Sequence, residues 1–324
     1  MVIIYREVRM TFGKNLLTIV LLLTLSSAFA QEKATETAPA TEATATATGA
    51  DEADQAITNR KLRAETGSLS KWSSSMFFDY SGGSVADPLN PERPNITAGR
   101  DVLTFQNFSG SLGVRYRASA LDSFTASTGF FMSTPFHDKL RRGTPARKKA
   151  FEDTNRELNF SDPGVSYTHL DKIWGVQSVS SLGATYITNN QLKDAGYESY
   201  FSASQTFMYD VGQTGFSFGA NVSFGFYTHS EDTPGLATNN FGFYPAAEYV
   251  INDTLNLRTV AGTFVYQQSK GEPSDNWDKL VVYQSVGLGI SVTRDIFLYP
   301  NIQFIPNDVR SDRTNIAISA SVNL

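Results

Sequence analysis

Seven charged residues of this 324-residue sequence could act on solutes, because each falls on the polar side of a segment whose other side is apolar. They are Asp79, Arg115, Arg117, Glu198, Glu248, Arg258 and Lys279. Arranged around an aqueous passage, such charges would form a constriction that sorts solutes by charge. Paired across neighbouring strands, they would instead form a salt-bridge network that stiffens the wall. The sequence leaves both interpretations open.

A second group of charges is a basic cluster within residues 135–162. It comprises Lys139, Arg141, Arg142, Arg147, Lys148 and Lys149. Such a cluster could contact anionic phosphates or fold inward over the passage. A charge run of this kind is also typical of a solvated, mobile loop.

Hydrolytic chemistry has little support in the sequence. The three histidines are His137, His169 and His229, and the run from His229 to Asp232 is the one local cluster with a serine and carboxylates. Adjacent residues do not make a catalytic triad by sequence proximity. The absence of cysteine excludes thiolate nucleophiles, thiolate metal sites and disulfides. We expect no enzymatic activity, no metal and no cofactor.

The elements that would position these residues are strands. In the stretch 214–228 the even positions from Phe216 to Phe226 are all apolar, and the odd positions from Ser217 to Gly225 are small or polar. Successive side chains of a strand point to opposite faces, so one face is continuously apolar. The stretch exceeds the roughly 9–11 residues that a tilted strand needs to cross a bilayer.

Similar segments follow one another to the last residue. We predict strands at about 72–81, 102–118, 123–134, 163–170, 175–188, 197–209, 214–228, 241–251, 255–266, 279–293, 296–305 and 313–324. Short turns and longer polar connections alternate strictly between them. Parity requires odd-numbered turns, Asn252–Thr254 and Thr293–Asp295. The first of these places Glu248 opposite Arg258 as an ion pair. Aromatic residues also fall on the predicted inward face, namely Tyr227, Phe264, Tyr266, Tyr283, Phe297 and Tyr299.

The N-terminal region differs from the rest in composition. Residues 1–30 have the pattern of a signal peptide, with Arg6, Arg9 and Lys14 before an apolar run and Ala28-Phe29-Ala30 at the cleavage position. Residues 31–70 are rich in Ala, Thr and Glu, and such a composition predicts disorder. From Asp51 to Glu65 the composition would also allow a short polar helix under or inside the barrel. The overall net charge of −5 argues against nucleic-acid binding.

The last segment supplies a resemblance to a known class. T-N-I-A-I-S-A-S-V-N-L places Ile316, Ile318, Ala320, Val322 and Leu324 on one face. This resembles the C-terminal closing strand by which bacterial outer-membrane proteins are recognised for assembly, with Leu324 where that class prefers an aromatic residue. The resemblance is to porin-like outer-membrane β-barrels, covers about residues 72–324 and identifies no particular family.

The predicted fold is therefore all-β, a transmembrane up-and-down antiparallel barrel of about 12 strands over residues 71–324, preceded by a disordered periplasmic segment. We expect an integral outer-membrane protein acting as a narrow porin-like channel for small hydrophilic solutes. The alternative is a structural or surface-interaction barrel with a plugged lumen and binding loops. The expected partners are outer-membrane lipid, lipopolysaccharide and the barrel-assembly machinery.

Overall fold

A computed structural model of the chain describes residues 48–96, 103–137, 158–230, 233–262, 264–271, 277–280 and 282–324. The predicted signal peptide, residues 31–47 and the basic cluster from Lys139 to Lys149 lie outside these ranges. No helix among the described residues is long and apolar enough to cross a membrane.

The chain forms a closed antiparallel barrel of twelve strands, in which the last strand pairs with the first. In chain order the strands are β1 (Trp72–Ser84), β2 (Glu92–Pro94), β3 (Leu103–Phe105), β4 (Asn107–Arg117), β5 (Asp122–Ser133), β6 (Leu158–Ile173), β7 (Val176–Tyr186), β8 (Tyr197–Asp210), β9 (Phe216–His229), β10 (Ala237–Val250), β11 (Leu255–Gly262), β12 (Phe264–Ser269), β13 (Asp278–Lys279), β14 (Tyr283–Thr293), β15 (Ile296–Phe304) and β16 (Asn315–Asn323). The pieces β11 and β12 share one position in the barrel, as do β13 and β14, while β2 and β3 form a separate hairpin. The predicted twelve-strand barrel is confirmed.

The alternation of β9 continues into its neighbours. Phe224 lies opposite Ala203 of β8 and Phe241 of β10, whereas Ser223 lies opposite Ser204 and Gly242. Aromatic and aliphatic side chains thus cover the outer face, and small polar residues line the lumen. This is the distribution of a barrel whose outer face meets hydrocarbon.

The hairpin between β10 and β11 has the predicted register. Glu248 lies opposite Arg258 and Tyr249 opposite Leu257, so the connection is odd-numbered. In the hairpin between β14 and β15, the register shifts next to the turn, between Ser291 and Thr293. The strands on the far side of this shift keep the predicted odd-numbered parity. A β-bulge adds one residue to a strand and so reverses its alternation beyond that point.

One bulge overturns part of the sequence prediction. Ala246 of β10 lies opposite Val260, but Phe243 lies opposite Phe264. Three residues along β10 therefore correspond to four on its partner, which reverses the alternation between β11 and β12. Phe264 packs against the outward-facing Phe243, at 5.9 Å between ring centroids, and with Tyr266 it lies on the outer face instead of the predicted inner face.

The N-terminal helices are a second departure from the prediction. Residues expected to be disordered form α1 (Thr48–Ala56) and α2 (Arg60–Thr66), and we call residues 48–71 the plug. Its apolar side chains Ala53, Ile57 and Leu62 are buried against the wall residues Leu170 and Met208. The composition of the segment concealed these few apolar residues, because their wall partners Leu170 and Met208 are distant in sequence. A third helix, α3 (Asn190–Asp194), lies in a connection.

The plug occupies one end of the barrel. It contacts the part of the wall next to the short turns, and we call that end the turn end and the opposite one the loop end. Ala64 of α2 packs against Phe297 and Tyr299 of β15 in a second buried cluster. The plug therefore occupies space in the lumen at the turn end.

The two faces of β9 should tolerate a charge unequally. Phe224→Arg should lower the free energy of unfolding by about 2–4 kcal/mol, because it places a charge on the lipid face near mid-depth. Urea titration of the protein folded in lipid vesicles measures the effect. The matched control is Ser223→Arg, which places the same charge in the lumen and should cost less. Equal losses for the two variants would contradict the assignment of the faces.

Candidate functional site

The first turn of α2 is held by side chains of the barrel wall. Asn59 caps the helix by accepting a hydrogen bond from the Leu62 amide at 3.1 Å. The side-chain oxygen of Gln177, on β7, accepts from the amides of Thr58 and Asn59 at 2.7 and 2.6 Å. Amides at a helix start have no partner within the helix, so these bonds satisfy groups that burial would otherwise leave unpaired.

Glu248 connects this cap to the predicted ion pair. The Glu248 carboxylate forms a salt bridge with Arg258, and the two residues are only 3% and 8% exposed. Its other oxygen accepts from the side-chain amides of Asn59 at 2.9 Å and Asn256 at 2.8 Å. The pair is therefore present as predicted, and it also binds the plug. A carboxylate beside a helix start is favourable because the amides there carry partial positive charge.

Three arginines surround the other end of α2. Arg115 donates to the Glu65 carbonyl at 3.0 Å and Arg117 to the Ser68 carbonyl at 2.8 Å. Arg294, in the turn before β15, donates to the Gly67 carbonyl at 2.9 Å. Carbonyls at a helix end are unpaired and carry partial negative charge, so cations are stabilising there. Arg115 and Arg117 thus bind the plug and do not form an open constriction.

Gly67 allows this contact. Its φ of +99° lies in the region that favours glycine, and a Cβ atom added there would overlap the Arg115 guanidinium. The sequence offered no reason to single out this glycine among 24.

Salt bridges hold the plug at the turn end as well. Arg294 pairs with Asp54 of α1 at 2.7 Å. Arg60 donates to the Asn252 carbonyl at 2.6 Å and lies 3.4 Å from the Asp253 carboxylate. Pairs at the protein surface contribute little individually, about 0–1 kcal/mol each, and both of these pairs are at least partly exposed. They contribute more to the position of the plug than to the stability of the protein.

Above the plug lies a cavity of about 330 Å³. Lys61, Leu62 and Glu65 of α2 form its floor, and small wall residues such as Ser204 line its sides. Burial lowers the pKa of Lys61; the carboxylate of Glu65 opposes this shift, and the nearby Arg258 reinforces it. The charged residues of the lining are therefore Lys61 and Glu65 on the floor and Arg258 on the adjoining wall.

Asp79 faces the lumen nearer the loop end. It accepts a hydrogen bond from Ser81 at 3.1 Å, and the β2–β3 hairpin brings the buried Arg93 near it. Burial lowers the pKa of Arg93, and the Asp79 carboxylate opposes that shift. The hairpin is tied to the wall because Asn315 donates to the Pro94 carbonyl at 2.8 Å.

Of the two remaining predicted lumen charges, Lys279 lies on the outer face and Glu198 lies at a bulge. Glu198 lies at a register shift between Tyr197 and Ser199 and is exposed. Lys279 lies opposite Tyr266 with its ammonium 5.5 Å from the centroid of the Phe264 ring. The prediction for Lys279 was wrong because the bulge between β11 and β12 reverses the alternation, and the sequence alternation alone does not indicate such a bulge.

The histidines are separated in the structure. His169 bonds to Asp122 at 2.8 Å, His137 to Gln106 at 2.6 Å and His229 to the Ala237 carbonyl at 3.0 Å. In the ranges listed above, no group of His, Cys, Asp and Glu has the arrangement of a metal site. The residues that sequence reasoning missed are Asn59, Gln177 and Arg294. Only Asn59 had a local signal, as a cap residue before a short helix.

No protein-family model and no curated protein matches the chain by sequence. Among solved structures it is similar to an outer-membrane channel from Pseudomonas putida F1, with a TM-score of 0.50 and 11% identity, covering 80% of this chain and 97% of that one. The NanC porin has a TM-score of 0.42 and 11% identity, covering 78% of this chain and 100% of that one. Salmonella typhi OmpF has a TM-score of 0.32 and 9% identity, covering 78% and 97%. The chain thus has the transmembrane up-and-down barrel fold of bacterial outer-membrane proteins.

Loss of Glu248 should release the plug. Glu248→Ala leaves Arg258 buried without its partner, a change that costs about 3–5 kcal/mol for buried pairs. It also removes one partner of Asn59. Because the chain has no cysteine, Leu62→Cys gives a specific reporter, and its labelling by a water-soluble maleimide should accelerate in the Glu248→Ala background.

Two further variants complete this test. The double variant Glu248→Leu/Arg258→Met removes both charges and should label more slowly than Glu248→Ala alone. Glu198→Ala, at an exposed position, should leave the labelling rate unchanged. An unchanged rate in Glu248→Ala would show that the ion pair does not retain the plug.

Proposed function

We propose that the protein is an outer-membrane channel for small hydrophilic solutes, narrowed at its turn end by the plug. The observation that carries this proposal is the lining of the lumen. On β9 the inward residues Ser217, Gly219, Asn221 and Ser223 are small, and Gly287 adds to this small lining on β14. A wall of small side chains leaves space for water, whereas a purely structural barrel of this size could fill its centre with large ones.

The cavity above the plug supports the same proposal. Its volume of about 330 Å³ falls within the roughly 300–1,000 Å³ typical of small-molecule sites. Solutes that reach it meet Lys61 and Glu65 on the floor, so any selection by charge takes place at the plug. This role differs from the constriction of wall charges, which was one of the two arrangements that the sequence left open.

The second candidate is a barrel with a permanently closed lumen. The observation in its favour is the plug itself, whose helix α2 is bonded at both ends to Gln177, Glu248 and Arg115 of the wall. In that case the exposed connections at the loop end would carry the function by binding a partner.

The cellular setting belongs to the same proposal. Residues 1–30 would direct export, the barrel-assembly machinery would insert the strands, and the aromatic outer face would contact lipid. The basic cluster from Lys139 to Lys149 would contact lipopolysaccharide phosphates. The turn end would then face the periplasm.

Planar-bilayer recording separates the two candidates. The full-length protein should give small discrete current steps, and deletion of residues 48–66 should enlarge them, because the deletion removes the protein that fills the turn end. Steps that appear only after the deletion would favour the closed barrel. No steps from either folded protein would refute the channel. Folding is checked by the heat-dependent shift in gel mobility that intact barrels show.

A further inference from the structure

Five tyrosines line one side of the lumen between the plug and the loop end. We call Tyr197, Tyr200, Tyr227, Tyr244 and Tyr283 the tyrosine arc. They come from β8, β9, β10 and β14, and each is partly buried. Tyr227 lies 4.6 Å from Tyr200 and 5.0 Å from Tyr197 between ring centroids. At the loop end of the arc, the rings of Tyr197, Tyr200 and Tyr227 therefore form one connected aromatic surface.

Glycines make room for the rings. A Cβ atom added to Gly225 would overlap the Tyr200 hydroxyl, and one added to Gly242 would overlap the Tyr244 ring. A Cβ atom added to Gly262 would likewise overlap the ring of Tyr283. The rings of Tyr200, Tyr244 and Tyr283 thus lie over bare stretches of backbone. A side chain at any of these glycines would displace the ring it supports.

The polar groups around the arc are neutral. The Tyr200 hydroxyl reaches across β9 and donates to the side-chain oxygen of Asn240 at 3.3 Å. Below it, Asn221 donates to Thr206 at 2.8 Å. The inward positions of β9 from Ser217 to Tyr227 carry no charge. Hydroxyl and amide groups between aromatic faces offer both stacking and hydrogen bonding, with no electrostatic preference for an ion.

The arc continues into the cavity above the plug, because Tyr244 is also part of the cavity lining. A solute that leaves the aromatic surface therefore passes into a space of about 330 Å³ with a charged floor. The arrangement is a binding surface followed by a compartment.

We propose that the tyrosine arc binds neutral carbohydrates. The apolar ring face of a sugar would stack on the tyrosines, and its hydroxyls would bond to Asn240, Asn221 and the tyrosine hydroxyls. This assignment names the substrate class of the proposed channel and rests on that function for its transport role. Binding to the arc does not itself require conduction.

Calorimetry on the purified full-length protein tests the binding with glucose, sucrose, maltotriose and cellotriose as probes. At least one sugar should bind, and Tyr200→Ser or Tyr227→Ser should weaken its affinity by about threefold to tenfold, as expected for losing one aromatic contact. Tyr200→Phe keeps the ring and should lose less affinity than Tyr200→Ser. Tyr249→Ser, on the lipid face of β10, is the matched control and should not change the affinity.

Two outcomes would overturn the proposal. One is that none of the four sugars binds to the folded protein. The other is that a sugar binds with equal affinity to the wild type and to the Tyr200→Ser and Tyr227→Ser variants. Bilayer recording of the same preparations keeps this question apart from conduction, since sugar binding without current steps supports the arc and refutes the channel. Current steps without sugar binding would support the channel and refute the arc.

Discussion

The ends of one short helix impose the constraint on which the lumen depends. A helix leaves its first amides and its last carbonyls unpaired, and burying them without partners would cost free energy. At the start of α2, the amides donate to Gln177 and to the Asn59 cap, and Asn59 in turn donates to Glu248. At its end, the carbonyls accept hydrogen bonds from Arg115 and Arg117. The wall charges are therefore complementary to the plug, negative near its start and positive near its end.

This complementarity explains how charge is distributed inside the barrel. Buried charges are tolerated when they are paired and hydrogen-bonded, and the plug provides partners that water would otherwise supply. Arg258, Arg115 and Arg117 are consequently concentrated at the turn end. Toward the loop end, the wall next carries small polar residues and the tyrosine arc. Along β8 to β10 two zones result, a charged floor and an aromatic upper part, while the charged pair of Asp79 and Arg93 lies at β1.

Much of the barrel could be predicted from local pattern. Phe216 to Phe226 alternate with small residues, and a strand with one lipid face and one lumen face has few other arrangements. The opposition of Glu248 and Arg258 followed from the same parity. The predictions for Phe264, Tyr266 and Lys279 were wrong where a bulge intervened. A bulge depends on how two strands meet, so neither strand's sequence indicates it alone.

The sequence by itself determined the strands, their number, the lipid-facing side and the small polar lining, because a two-residue period is a local property of the chain. Only the tertiary structure decided that residues 48–66 fold into the lumen. The partners of that segment, such as Gln177, Met208 and Arg294, are distant in sequence and become neighbours only when the barrel closes. The same closure assembles the tyrosines of four strands into one surface, and it does so because register, not proximity in sequence, sets which side chains meet.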